Sequence, residues 1–381
     1  MICSCSPKER YKKGTFGYDV AFVAKTHQVI VLSYHDSKIL VGPTMQARVL
    51  TSTTANLNGL SLGYLDYNFI AENKIKEGGN SYGGEDRLWL GPIGSKYSLF
   101  YNGKPIKSEN WYVPKAIDTE QYKLVKQSED NILFQKEVTV KNNIGKEFKV
   151  QIDREINLFT KPQIIAQLHL MIPEGIKTVG FQSINTIKNI GADWKVEEGL
   201  IAPWVLGMFK GNNASTAFFP YQETEESPLL VKKYLNVLGD DRLKAANGIV
   251  YFKTDGIYRS KMGITAAHAQ PILGNYNAKN KVLTVITFSY APNSNFLSTT
   301  ETENSPLFGG DVVNSYNNSA NTGTSSFFEL ESAGSAQALV NGASTSHTQN
   351  TYHFQGDEKQ LNNIVKQLFN IEILKIKNTL Q

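Results

Sequence analysis

The chain has 381 residues, 41% of them hydrophobic and 19% charged, with 39 Lys+Arg against 35 Asp+Glu for a formal net charge of +4. That composition excludes a disordered chain, and with no Lys/Arg-rich run it leaves no electrostatic case for nucleic acid. No stretch approaches the ~18 consecutive apolar residues of a membrane-spanning helix.

The N-terminal residues Met1-Ile2-Cys3-Ser4-Cys5-Ser6-Pro7-Lys8 contain no apolar signal core. A cysteine followed by small polar residues reads equally in two ways. One is the acylated start of a mature bacterial lipoprotein, with a lipid anchor in the cell envelope. The other is a polar start of a cytoplasmic protein carrying two thiols. Two cysteines are too few for a disulfide framework or a zinc site. Residues 1–14 therefore read as a flexible segment and residues 15–381 as one domain.

β patterning dominates from about Tyr18 to Phe354. Expected strands are Asp19–Ala24, Gln28–Leu32, Ala47–Thr51 and Ile132–Val140. Lys146–Phe159 is the clearest: Phe148, Val150, Ile152, Ile156 and Leu158 share one parity and polar residues the other. Arg154 interrupts the apolar row and needs a partner if buried. Ile164–Ile172 also alternates, after a turn signal at Lys161-Pro162. Further strands are expected at Thr178–Asn189, Gly248–Lys253, Lys281–Tyr290, Ser325–Glu331 and Ser346–Phe354, with the polar tract Ser298–Ser305 as a surface loop. Only the end is helical: Leu361, Ile364, Val365, Leu368 and Phe369 recur at helical spacing behind the cap candidate Asp357. Many short strands and one closing helix predict a large all-β sandwich.

Four polar clusters stand out. The first is Gly83-Gly84-Glu85-Asp86-Arg87-Leu88-Trp89, which sets two carboxylates and a guanidinium beside an aromatic face. A sugar site needs that combination, and so does a structural turn with an Asp–Arg pair beside a core tryptophan. In the second, Glu329 and Glu331 share a strand face. In a cleft such a pair raises a carboxyl pKa towards general acid–base work, and on an outer face it is merely solvated. The third aligns His347, Gln349, Thr351 and His353 on one parity. The fourth puts Asn314 and Tyr316 on one side of a strand. No HxH or HExxH, Walker, GxGxxG or GxSxG motif is present, so neither metal ligands nor a cofactor are expected. Gly239-Asp240-Asp241 reads as a turn rather than a calcium loop.

Several phrases together resemble an uncharacterised bacterial family within the galactose-mutarotase-like superfamily, which includes the aldose 1-epimerases. They are Thr15-Phe16-Gly17-Tyr18-Asp19-Val20, Ala47-Arg48-Val49, Gly83 through Pro92, Leu206-Gly207-Met208-Phe209, Gly310 through Tyr316, and Glu329-Leu330-Glu331 through Phe354. The resemblance covers nearly the whole chain. It implies a β-supersandwich of two large antiparallel sheets, closed by the C-terminal amphipathic helix, with a sugar on a concave face.

It also implies roles. Glu331 would take the proton of the anomeric hydroxyl, and Arg87 would bind a sugar hydroxyl. The histidine acid of those epimerases has no counterpart in Asn185-Thr186-Ile187-Lys188-Asn189-Ile190-Gly191. The acid then falls to His353, with His347 and Asp86 as the other candidates, or is missing. Asp86, Glu85, Trp89, Glu329, Asn314, Tyr316 and His347 complete the expected sugar-binding set. The expected partner is a mono- or oligosaccharide, and the expected assembly a monomer or weak dimer. The leading function is a mutarotase- or epimerase-like enzyme acting on an aldose or glycan end. The alternative is a non-catalytic sugar-binding envelope lipoprotein serving glycan uptake. A lyase or hydrolase fragment is a third reading, but such lyases carry an extra helical domain for which the chain has no room.

Overall fold

The structure, a computed structural model, describes residues 10–76, 78–80, 82–223, 229, 231–319 and 326–380. Both cysteines and Ser325 lie outside the described residues.

The first element corrects an expectation. Asp19–Ala24 is not a strand, because Thr15 accepts a hydrogen bond from the Tyr18 amide and caps helix α1 (Phe16–Val23). Phe16, Asp19 and Val23 turn inward at helical spacing. Next come β1 (Ile30–Tyr34), β2 (Ser37–Gly42), β3 (Arg48–Thr53), α2 (Tyr67–Glu72), β4 (Arg87–Gly91), β5 (Lys123–Gln127), β6 (Asn131–Lys141) and β7 (Glu147–Phe159).

The expected strand at Ile164–Ile172 is also overturned. Thr160 and Gln163 form a reciprocal capping box, Pro162 sits in the first turn, and α3 (Lys161–Leu168) follows. Its alternating apolar residues mimic a strand, but the two that are buried, Ile164 and Leu168, lie four apart on one helical face.

The remaining strands run β8 (Lys177–Asn189), β9 (Ala202–Lys210), β10 (Ser215–Pro220), β11 (Val231–Tyr234), β12 (Leu243–Ala246), β13 (Ile249–Lys253) and β14 (Ser260–Thr265). They continue with β15 (Ile272–Asn277), β16 (Val282–Phe288), β17 (Asp311–Asn317), β18 (Phe327–Ala333) and β19 (Ser344–Gln355). Helices α4 (Glu358–Phe369) and α5 (Ile373–Asn378) close the fold.

The strands form three antiparallel sheets. The largest has ten strands in the order β12-β13-β10-β15-β16-β19-β8-β7-β6-β5, the second has six in the order β11-β14-β17-β18-β9-β4, and the third is β1-β2-β3. The ten- and six-stranded sheets face each other, as the supersandwich reading requires. Phe219, Val250, Phe252, Leu273 and Ile286 of the first meet Phe209, Met262, Ile264, Phe328 and Leu330 of the second in one core. The other face of the large sheet, with Phe218, Tyr276, Leu283, Tyr352 and Phe354, is covered by Leu361, Ile364, Val365 and Phe369 of α4. Asp357 caps that helix by accepting from the Lys359 amide at 2.9 Å.

Polar contacts also tie the sheets together. Ser332 of β18 donates to Gln349 of β19 at 2.7 Å and lies 2.7 Å from His347 Nε2. A hydroxyl has one proton, so the imidazole donates from Nε2 and accepts from Ser289 at Nδ1, 3.1 Å away. That is the neutral tautomer, and burial pushes the His347 pKa down to about 4.

Below pH ~6.5 the unfolded imidazole takes up a proton that the folded one refuses until about pH 4. The unfolded state then binds more protons, so stability falls as pH drops through this window, by on the order of 3 kcal/mol across it. Urea denaturation from pH 7 to pH 4 should show a shallower acid loss for His347→Asn than for wild type. Parallel profiles would contradict the burial of a neutral imidazole here.

Candidate functional site

Strand alternation builds the site. On the six-stranded sheet, Leu88, Leu90, Phe209, Met262, Ile264, Phe328 and Leu330 point to the core between the sheets. Their neighbours on the other parity, Arg87 and Trp89, Trp204 and Met208, Lys261, and Glu329, emerge on the opposite face. There they line a cleft of about 450 Å³ together with Tyr316 and Phe327. Tyr101 and Trp111 close it on one side, and Glu301, Leu235 and Arg259 reach it from the loops.

The cleft's aromatic wall is continuous. Trp89 packs edge-on to Trp204 with ring centres 5.8 Å apart, and Trp111 stacks on Phe100 at 5.2 Å. Charged groups sit on this wall. The Arg87 guanidinium lies 4.5 Å from the centre of the Trp89 ring and donates to Glu329. Lys261 Nζ lies 4.9 Å from the Trp204 ring centre and 3.5 Å from Glu331 Oε2. Such contacts hold each cation in place without exhausting its hydrogen-bond capacity.

One step deeper the face is fully closed. Glu331 and Asn314 sit opposite each other in the β17–β18 ladder, both with no exposed surface. Among the described residues neither side chain has a hydrogen-bond partner, and Glu331 has only the Lys261 ion pair. Gly263, across from Asn314, makes room for this floor: a Cβ there would stand 2.0 Å from Asp311 Oδ2 and 2.9 Å from Asn314 Oδ1. Burial pushes the Glu331 carboxyl up to about 7, with Lys261 pulling it back and Glu329 adding to the rise. Burial works against the Lys261 ammonium too, but Glu331 first and then Glu301 and Glu329 outweigh it and raise its pKa.

The residues expected to form one site divide into three groups. Arg87, Trp89, Glu329 and Tyr316 meet in the cleft. Glu331 and Asn314 share its sheet but lie sealed beneath it. Glu85, Asp86, His347 and His353 lie elsewhere, between the sheets. His353 Nε2 is 2.8 Å from Glu85 Oε2, and its Nδ1 is 2.9 Å from Thr284. Ser52 holds the same Glu85 carboxylate through its hydroxyl at 2.9 Å.

Asp86 is the partner that Arg154 needs. The two form a fully buried ion pair, Ser183 donates to the second Asp86 oxygen at 2.7 Å, and Arg154 also donates to Asn185 and to the carbonyl of Ala47. His353 therefore cannot serve as the acid expected opposite Glu331: its imidazole belongs to the ten-stranded sheet's buried network. In the Gly-Gly-Glu-Asp-Arg phrase, only Arg87 reaches the cleft. Gly83 lets the phrase turn tightly, with φ of +93° and no room for a Cβ, which would fall 2.1 Å from Tyr64 O.

Sequence reasoning missed Lys261, Trp204, Trp111, Tyr101, Glu301 and Arg259. Lys261 was accessible in principle, since Met262 and Ile264 on the alternate parity mark a half-buried strand. The loop residues carry no such periodic signal. Among the described residues no group of His, Cys, Asp or Glu could hold a metal ion, and no helix is long and apolar enough to cross a membrane.

Residues 14–380 match the family of unknown function DUF6786. The chain belongs to that family. No curated protein matches it in sequence. Among solved structures it is similar to a candidate aldose 1-epimerase from Klebsiella pneumoniae, with a TM-score of 0.53 at 11% identity, covering 91% of this chain and 84% of that one. It is similar also to a candidate aldose 1-epimerase from Escherichia coli, with a TM-score of 0.50 at 10% identity, covering 86% and 98%. A galactose mutarotase-like protein from Lactobacillus casei gives a TM-score of 0.50 at 11% identity, covering 86% and 99%. At these identities the likeness is one of fold: this DUF6786 chain has the galactose-mutarotase-like architecture.

The Arg154–Asp86 pair should govern stability rather than ligand binding. Arg154→Met leaves a buried carboxylate without its cation and should cost about 3–5 kcal/mol in urea denaturation. Adding Asp86→Leu should recover much of that loss. A single variant as stable as wild type would contradict the assigned role.

Proposed function

We propose that the cleft binds a carbohydrate and supports mutarotase-type proton transfer at the anomeric hydroxyl and the ring oxygen. The observation that carries this reading is the meeting of Arg87, Glu329 and Lys261 on a wall built from Trp89, Trp111, Trp204, Tyr101 and Tyr316. Sugar C–H faces pack on aromatic rings, and sugar hydroxyls are oriented by charge-assisted hydrogen bonds. The volume of about 450 Å³ falls within the range of roughly 300–1,000 Å³ typical of small-ligand sites. The fold shared with the candidate aldose 1-epimerases adds support by analogy only.

The chemistry follows from what touches the cleft. Glu329 and Glu301 are the carboxylates that line the cleft, and Glu329, on the sheet itself, takes the proton of the anomeric hydroxyl. Lys261 gives a proton to the ring oxygen as the bond from C1 to that oxygen breaks. The open-chain aldehyde rotates about C1–C2, the ring hydroxyl attacks the other carbonyl face, and both protons return. Glu331, titrating near neutrality behind Lys261, is a positioning residue that sets the charge of the lysine's surroundings.

A second reading is favoured by a specific observation: Glu329 is already engaged by Arg87, and neither His347 nor His353 reaches the cleft. The protein would then bind a sugar without turning it over, as an envelope protein anchored through Cys3 or Cys5. Mass spectrometry of the native N-terminus tests the anchor, and an unmodified Met1 would remove it.

Exchange NMR on α and β anomers of a panel of aldoses and uronic acids tests the main reading. Wild type should accelerate interconversion of one of them. Glu329→Gln should lose roughly 10²–10⁴-fold. Glu331→Gln should keep measurable activity with a displaced pH profile. Full activity in Glu329→Gln would overturn the assignment of the base. Binding without acceleration would leave only the second reading.

A further inference from the structure

A second cavity, about 480 Å³, adjoins the cleft and shares two residues with it, Tyr101 and Trp111. The Trp111 indole is a fixed partition. It stacks on Phe100 with the rings 10° from parallel, and Tyr101 meets it edge-on with ring centres 5.7 Å apart. An aromatic plate lining two adjoining cavities suits a chain of sugar rings better than one ring.

Each side of the plate offers a cation that has no ion-pair partner among the described residues. In the cleft, Arg87 and Lys261 have Glu329 and Glu331 as partners, and Glu301 accepts from the Tyr101 hydroxyl at 3.4 Å. Arg259 has no carboxylate within 4 Å among the described residues. Its Nε donates to the Tyr316 hydroxyl at 3.2 Å, and its two terminal nitrogens have no hydrogen-bond partner among the described residues. Beyond Trp111, the second cavity is lined by Lys76, Lys104 and Lys115 against one acid, Glu109. Lys76 pairs with Glu72 at 3.3 Å, whereas Lys104 and Lys115 have no ion-pair partner among the described residues.

We propose that the ligand is an acidic oligosaccharide, with one sugar residue in the cleft and the next across Trp111, its anionic groups held by Arg259 and by Lys104 and Lys115. This rests on the carbohydrate reading above and names its substrate class. The shared chemistry is an oxyanion on a sugar ring, a carboxylate of a uronic acid or a sulfate ester. A guanidinium fork binds either bidentately, and lysines add point charges that salt screens.

The test is a glycan array of neutral, uronic-acid-containing and sulfated oligosaccharides, followed by calorimetry on the full chain with the strongest glycan and its monosaccharide. Binding confined to acidic oligosaccharides is the expected result, and the uronic and sulfated arms identify which oxyanion is read. Arg259→Gln and the double variant Lys104→Gln/Lys115→Gln should each weaken that binding roughly tenfold or more. The lysines are exposed, so their variant should fold normally. Neutral oligosaccharides binding as tightly, with both variants unaffected, would overturn this inference and leave the carbohydrate reading standing. An acidic monosaccharide binding as tightly as the oligosaccharide would remove the second subsite. Silence from every glycan would overturn both.

Discussion

The period of two along β18 is the constraint on which the site depends. Phe328 and Leu330 must enter the core between the sheets, so Glu329 and Glu331 must leave on the other face. The same alternation in β4, β9 and β14 delivers Arg87, Trp204 and Lys261 to that face. A register slip of one residue in any of these strands would exchange core for cleft. The hydrophobic pattern that holds the two sheets together therefore also fixes which charged groups meet.

Two classes of buried charge result. The Asp86–Arg154 and Glu85–His353 pairs lie between the sheets, where Ser183 and Ser52 donate to the two carboxylates and Arg154 donates to Asn185 and to the Ala47 carbonyl. They are costly to form and costlier to break on one side, so they specify how the sheets mate. Glu331 is different. Its ion-pair partner is Lys261, and burial, with the Glu329 charge adding to it, lifts its pKa to about 7 against the pull of that lysine. Structural networks satisfy their members, and a carboxyl kept short of partners beside a cleft is the kind of group that function retains.

Much of this was legible in the sequence. The long alternation of residues 147–159 appears as β7, and the helical spacing from Leu361 to Phe369 appears as α4, because both patterns are long enough for one period to dominate. The short segments at 16–23 and 161–168 misled, since capping by Thr15 and Thr160 decided them rather than apolar spacing. The resemblance put Arg87, Trp89 and Glu329 in one expected set, and the structure places all three in one cleft. It could not separate Asp86 from Arg87, because adjacent residues on a strand point to opposite sides. Trp111, Glu301 and Arg259 come from loops whose approach to the cleft depends on tertiary packing alone.

The central claim is that the outer face of the six-stranded sheet is where a carbohydrate binds. The chain's four tryptophans provide a direct reading of it. Trp89, Trp111 and Trp204 line the cleft, while Trp194 is buried against Phe148, outside it. With the indole nitrogens labelled, titration of a bound glycan should shift the resonances of the first three and leave that of Trp194 in place. A glycan that binds and moves Trp194 alone, or none of the four, would contradict the assignment of the cleft.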